Sequence, residues 1–291
     1  GIRVTHPDRE LWPGLSKRDL AQYWLAVAPT ALPGIAHRPL ALVRAPDGIG
    51  APSFFQKHAS RGQPSALHAA TSQGDPYLSL EDESGLVACA QIAAIELHSW
   101  GATVEDPDHA DRVVFDLDPG EGTSWALVVE GALWVRDRLK ALGLEAFCRT
   151  TGGKGLHVVV PLDSSQSWDE VKPWCRAFAE ALVAERPDRY LATVSKAARR
   201  GKILIDWLRN GRGATAVASY SPRARPGATV AVPVTWKEVT PGLDPQGFTI
   251  RTVPDRLRRQ RGDPWKGFDG LAQSLPPLAG AKPATAKKRK S

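Results

Sequence analysis

Arg112-Val113-Val114-Phe115-Asp116-Leu117-Asp118-Pro119-Gly120 is a run of apolar, β-favouring residues that ends in two aspartates and a turn. It reads as a strand buried on at least one face, stopped by Pro-Gly. Period two puts Asp116 and Asp118 on one side of it. A helix follows, with Trp125, Val128, Ala132, Val135, Leu139 and Leu142 at alternating steps of three and four, closed by Gly143. Glu145–Thr150 reads as a second strand, and Gly152-Gly153 turns the chain into a third, Leu156–Pro161. Trp168, Val171, Cys175, Phe178 and Leu182 mark a second helix, and Lys202–Leu208 a fourth strand. The predicted order is β-α-β-β-α-β, a ferredoxin-like unit that is also the architecture of RNA-recognition modules. That topology implies the sheet order 4-1-3-2, with the first strand between the third and the fourth.

Upstream, Ser16 and Asp19 resemble a capping box. Leu20, Tyr23, Trp24 and Val27 then form a helical stripe predicted to stop before Pro29. Residues 40–44 and 53–57 read as strands around Pro46-Asp47-Gly48, and a helix is expected from Leu86 to Leu97. The fold class expected is α+β: an RNA-recognition or ferredoxin-like βαββαβ core with an appended N-terminal αβ unit. The division expected is residues 1–110 for that unit, 111–271 for the core and its C-terminal extension, and 272–291 for a disordered basic tail rich in Pro, Ala and Lys.

With 291 residues, 42% apolar and 24% charged, the chain has an ordinary globular balance and can bury a core without staples. No apolar run approaches the roughly 18–20 residues of a membrane helix. No signal peptide is visible, and the lack of any methionine reads as a piece of a longer protein. Cys89, Cys148 and Cys175 are too widely spaced for a zinc site or a disulfide framework, so buried thiols in a reducing cytoplasm are expected. The net charge is +7, but the last ten residues hold five bases and no acid, leaving a near-neutral body. Within that body, bases cluster at 196–212 and 251–266, which suggests a localised anion site.

Two carboxylates as close as Asp116 and Asp118 repel each other, and a divalent cation removes that cost. Asp206 ends the apolar run Ile203-Leu204-Ile205. In the 4-1-3-2 order the first and fourth strands are neighbours, so Asp206 stands opposite the pair. Three carboxylates on one face suit Mg²⁺ or Mn²⁺. By itself the DxD pair could equally cap the next helix.

Thr151-Gly152-Gly153-Lys154-Gly155-Leu156-His157 joins the second and third strands. Its amides and Lys154 can cradle an anion, although the spacing is not that of a P-loop. Arg223 and Arg225 follow the fourth strand by a short excursion and can fork onto phosphate. Adjacent strand residues face opposite ways, so one of Phe54 and Phe55 is expected in the core and the other exposed for base stacking, with both buried as the alternative.

Together these motifs resemble the polymerase domain of bacterial DNA ligase D, of the archaeo-eukaryotic primase superfamily. The resemblance runs from about Val4 to Trp236. It rests on Phe115-Asp116-Leu117-Asp118-Pro119-Gly120, Thr151-Gly152-Gly153-Lys154-Gly155-Leu156-His157 and Ile205-Asp206-Trp207. It implies a catalytic metal triad of Asp116, Asp118 and Asp206. It implies nucleotide contacts at Arg44, His98, Thr151, Gly153, Lys154, His157, Arg223 and Arg225. Arg9 and Lys17 would hold a downstream DNA 5′-phosphate, and Phe54 and Phe55 would stack on DNA ends. The implied activity is primer extension with NTPs or dNTPs by gap filling, fill-in and untemplated addition. Ribonucleotides are favoured, and Mn²⁺ is the better metal than Mg²⁺. The implied partners are gapped duplex with a 5′-phosphate, the end-binding protein Ku, and the ligase and nuclease modules of a parent protein, all in the bacterial cytoplasm.

Three other readings compete. An aspartyl-phosphate phosphatase also begins with a strand-end DxD, but the later acid that Asp263 or Asp269 superficially offers is preceded by Arg258-Arg259-Gln260-Arg261 and not by an apolar strand. A DxD glycosyltransferase leaves Asp206 unexplained. A non-catalytic nucleic-acid-binding module would show aromatics on its sheet rather than acids.

Overall fold

The computed structural model describes residues 1–72, 75–194 and 199–278. The strand predicted at 112–117 is β8 (Arg112–Pro119) in the numbering used here. It is followed by α3 (Trp125–Ala141), β9 (Phe147–Thr150), β10 (Leu156–Pro161), α4 (Trp168–Glu185), β11 (Tyr190–Leu191) and β12 (Ile203–Asp206). With β14 (Pro233–Val234) they form a sheet ordered β11-β12-β8-β10-β9-β14. The predicted 4-1-3-2 order is therefore present, extended by one short strand at each end.

Alternation assigns the faces. Val113, Phe115 and Leu117 of β8, Leu156, Val158 and Val160 of β10, and Ile203 and Ile205 of β12 share one core with the apolar sides of α3 and α4. The intervening residues, Asp116, Asp118, His157 and Asp206 among them, are left for the opposite face. Both helices are capped from the sequence. Ser124 accepts from the Leu127 amide, and Ser167 with Glu170 forms a capping box.

The N-terminal part begins with the hairpin β1 (Glu10–Trp12) and β2 (Leu15–Ser16) and the helix α1 (Lys17–Ile35). A second sheet follows, of β3 (Leu40–Arg44), β4 (Phe54–Gln56), β5 (His68–Ser72), β6 (Asp75–Ser79), β7 (Ala94–Ser99) and the later β13 (Ala216–Val217). Helices α1 and α2 (Glu83–Gln91) share its core with Leu40, Leu42, Ile95 and Leu97.

Three expectations are corrected. Helix α1 runs through Pro29 and Pro33 instead of stopping, because Ala31 and Ile35 beyond the first proline are fully buried and their packing outweighs the lost backbone bonds. The helix expected at 86–97 ends at Gln91, where Ala93 takes a left-handed φ of 54° and the chain turns into β7. The short apolar run Ile92–Ile95 does not distinguish helix from buried strand. Residues 272–278, assigned from composition to a disordered tail, are docked. Gln273 bonds Glu145 and Pro161, and the Trp174 indole donates to the Pro276 carbonyl. The rest of that tail, 279–291, lies outside the described residues, as does Lys196 of the basic run at 196–212.

The two sheets are joined by chain crossings and by buried bonds. β13 pairs with β7 in the N-terminal sheet, and β14 then returns to β9. Arg38 donates to Asp111 (Nη1–Oδ1 2.9 Å) and to the Ala102 carbonyl, and Arg112 Nε reaches the same carboxylate at 3.2 Å. The Trp12 indole donates to the Arg223 carbonyl, and the Tyr23 hydroxyl to that of Tyr220.

Candidate active site

In register, Arg149, His157, Asp116 and Asp206 lie side by side across β9, β10, β8 and β12. They share the face turned away from α3 and α4, as the spacing predicts. The Arg149 Nε–H donates to His157 Nδ1 at 3.1 Å, which leaves the imidazole proton on Nε2, 3.4 Å from Asp116 Oδ1. Burial pulls the His157 pKa down to about 4, so it is a neutral donor at pH 7.

Burial works against the Asp116 carboxylate, but His157, Arg209 and Arg223 outweigh it and hold its pKa below the usual range. Burial, with repulsion from Asp116, shifts Asp118 and Asp206 the other way. Arg209 Nε lies 3.2 Å from Asp206 and its Nη2 3.6 Å from Asp116, while Arg199 Nη1 meets Asp118 at 2.8 Å. The basic run at 196–212 thus balances the carboxylates; Arg212 bonds Asp108 as well. With these pairings, no three His, Cys, Asp or Glu side chains among the described residues already stand at metal-holding spacing. The donor set nevertheless fits a hard divalent cation: it is all oxygen, on one face, with two carboxyls whose ionisation is hindered by burial and by a neighbouring carboxylate.

A cleft of about 220 Å³ opens in front of Asp116 and His157, while Arg149 and Asp206 of the same row lie outside its lining. Asp116, Asp118 and His157 line it together with His98, Thr151, Gly153, Lys154, Arg209, Arg223 and Arg225. Lys154, Arg223 and Arg225 bring positive charge to it, and the excursion after β12 does return to the site as expected. Thr151 is used inside its own loop: its Oγ1 accepts from the amides of Gly153 and Gly155 at 3.2 and 3.3 Å and so shapes the cradle. Gly155 passes so close to β8 that a Cβ there would lie 2.4 Å from the Leu117 carbonyl oxygen. Only glycine lets β10 and β8 meet there.

Sequence reasoning missed Glu96. It is buried on β7, and its Oε2 lies 2.7 Å from His98 Nε2 and 3.1 Å from Arg223 Nε, while Oε1 accepts from the Ala224 amide at 2.8 Å. The signal was an acid two residues before His98 on an otherwise apolar strand. Arg149, Arg199 and Arg209 were also missed as partners of the site.

Arg44 stands apart from this cleft. It bonds the Ile92 carbonyl and Gln56, packs over the Phe54 ring at 5.2 Å, and raises the local positive potential at Lys17 together with Arg9. Lys17 is buried, with Nζ on the Thr5 carbonyl at 2.9 Å and Gln91 Oε1 at 3.2 Å. Burial, then Arg9 and Arg44, lower its pKa. Arg9 is half-exposed and bonds the Pro46 carbonyl. The first amides of α1 are already spoken for: Lys17 N donates to the Arg9 carbonyl, Arg18 N to that of Pro7, and Asp19 N to Ser16 Oγ. Any anion there meets side chains only. Phe54 and Phe55 are both exposed, at 47% and 61%, because β4 is an edge strand with neither face covered. This differs from the expected split between core and surface. Phe55 leans on His98, with ring centroids 5.7 Å apart.

The comparisons agree with this geometry. A family model described as LigD, primase-polymerase domain, matches residues 16–265. The multifunctional non-homologous end joining protein LigD of Pseudomonas aeruginosa is 39% identical over 94% of this chain, and the bifunctional LigD of Bacillus subtilis is 29% identical over 90%. The chain covers 34% of the first and 43% of the second, so it spans well under half the length of these relatives. Among solved structures, the polymerase domain of Mycobacterium tuberculosis ligase D in complex with DNA matches at a TM-score of 0.85 and 34% identity, covering 94% of this chain and 99% of that one. Fold, cleft and matched span together place the chain in the LigD primase-polymerase family.

Proposed function

We propose that this chain extends DNA primer 3′ ends by gap filling, fill-in and untemplated addition, taking NTPs in preference to dNTPs. The observation that carries this reading is the single cleft shared by the Asp116–Asp118 pair, the 151–155 loop and Arg223 and Arg225. Asp116, Asp118 and Asp206 would hold Mn²⁺ or Mg²⁺. When bound, the metal activates the primer 3′-hydroxyl and stabilises the leaving pyrophosphate. Lys154, Arg223 and Arg225 hold the triphosphate, and the neutral His157 donates from Nε2. Arg9, Lys17 and Arg44 form a cation cluster suited to the 5′-phosphate of a downstream strand. Phe54 and Phe55 form a stacking edge for DNA ends. We further assign Ku as partner, ligase and nuclease modules in the parent protein, and the bacterial cytoplasm as the compartment, all on the family resemblance. No helix among the described residues is long and apolar enough to cross a membrane.

The competing readings lose support from the geometry. Asp263 and Asp269 line a different cavity, with Arg112 and Trp265, so a phosphatase built on Asp116 has no second acid from them. A passive nucleic-acid module has no use for carboxylates facing phosphate. The test is incubation with a 5′-phosphorylated gapped duplex, Mn²⁺ and each nucleotide class separately. Ribonucleotide addition faster than deoxynucleotide addition is expected, and no incorporation of either would remove the reading.

A further inference from the structure

We propose that Glu96 is a positioning residue that presets both His98 and Arg223 for the incoming nucleotide, an inference that rests on placing the triphosphate in this cleft. Glu96 is only 6% exposed, so its influence passes through other side chains. Its two oxygens engage three groups from two parts of the chain: the imidazole of His98 on β7, and the Arg223 guanidinium and Ala224 amide of the excursion after β13. A buried carboxylate is costly unless fully paired. Here burial opposes ionisation, and the His98 hydrogen bond with the Arg223 charge overcomes it, bringing the pKa down to about 2.

Each engagement fixes a degree of freedom of the site. The 2.7 Å bond places the His98 proton on Nε2 and leaves Nδ1 as an acceptor. Burial lowers the His98 pKa, so the ring is neutral at pH 7. Arg223 Nε lies 3.1 Å from Glu96 Oε2 in an ion pair that lacks hydrogen-bond geometry, and Nη1 donates to the Thr151 carbonyl, which leaves Nη2 as the arm free of both. The bond to the Ala224 amide anchors the backbone between Arg223 and Arg225, and thereby the spacing of two cations that line the cleft. A charged second partner behind a binding side chain works by removing alternative orientations before the ligand arrives.

Glu96→Gln keeps the side chain's size and its acceptor for Ala224 while removing the charge. KM for the nucleotide is expected to rise about tenfold or more, in the range seen when outer partners of binding groups are lost. The dissociation constant for primer-template DNA should stay within about twofold. Combined with Arg223→Ala, the Glu96→Gln effect should shrink, because the two changes act on one unit. Arg223→Ala alone separates the failures. An unmoved KM there removes the nucleotide site itself. A raised KM there, with an unmoved KM in folded Glu96→Gln, removes only the role of Glu96. Should the Glu96 variants fail to fold, nitrogen NMR of the wild-type imidazole decides: a proton on Nε2 of His98 supports the proposal, and a proton on Nδ1 overturns it.

Discussion

Asp206 and Asp116 face each other directly across the antiparallel β12–β8 pair, and Arg209 reaches both carboxylates, at 3.2 and 3.6 Å. Like charges directly opposed on neighbouring strands destabilise a sheet. The pair persists because an arginine sits on it, and a divalent cation would do the same with more charge. Asp116→Ala and Asp206→Ala should each lower nucleotide addition by at least about 100-fold while leaving DNA affinity intact. Thermal melts give a second readout: Mn²⁺ should raise the melting temperature of the wild type and leave both variants unmoved. Full activity in Asp206→Ala would sink the triad.

Asp111 ties the two sheets together through Arg38 and Arg112. Burial would raise its pKa, but Arg112 and Arg38 hold it well below the ordinary value. The sign follows: the stabilisation is complete above the unfolded pKa of roughly 4 and drains away as pH falls below it. Asp111→Asn leaves two buried guanidinium groups underpaired and should cost about 3–5 kcal/mol at pH 7. Urea melts at pH 7, 4 and 3 should show the wild type losing stability across that range faster than the variant. Parallel curves would place the acid sensitivity elsewhere.

For the 5′-phosphate, Lys17 has three donors and spends two on Thr5 and Gln91, leaving one for a ligand. Arg9→Ala should abolish the preference for 5′-phosphorylated over 5′-hydroxyl gaps with little change in stability. Lys17→Ala should abolish it too, and also cost about 1–3 kcal/mol by removing the two hydrogen bonds that its buried ammonium group donates. Extension on an open primer-template should be nearly unchanged in both. Equal losses on gapped and open substrates would reassign these residues to general DNA binding.

Phe55 is 61% exposed and its ring touches only the edge of the site at His98, so Phe55→Ala should change stability by less than about 0.5 kcal/mol. If the edge stacks on bases, the same change should weaken binding to DNA ends by about 1–3 kcal/mol. A fluorescence titration with short-overhang duplexes measures it, and an unaltered dissociation constant rules stacking out.

The βαββαβ order, the sheet order and the shared face of Asp116, Asp118, Asp206 and His157 were legible because strand alternation is a strict rule and the apolar runs are long. Less legible were features decided by distant contacts. Nothing local says that α1 continues past Pro29, since the packing that rewards it comes from Ala31 and Ile35 against other elements. The turn at Ala93 depends on a left-handed backbone that alanine rarely adopts. Lys17 reads as a surface base, and only the fold shows its ammonium group held by Thr5 and Gln91. Glu96 and Arg149 looked like ordinary charges because their partners lie far away in sequence or on a neighbouring strand. The basic run at 196–212 was read as an open anion site, whereas Arg199 and Arg209 turn to the carboxylates.

The return of the chain from β12 to the N-terminal sheet through β13, and back through β14, has a consequence for dissection. A cut near residue 110 yields no independent half. The first fragment keeps Glu96 and His98 but loses its edge strand and Arg223, the ion-pair partner of Glu96. The second keeps the aspartates but strands β13 without a neighbour, and loses the Trp12 and Tyr23 bonds that hold the 220–223 backbone. The cleft is thus a property of the interlaced pair, and recombination between relatives should succeed only when both sheets come from the same parent.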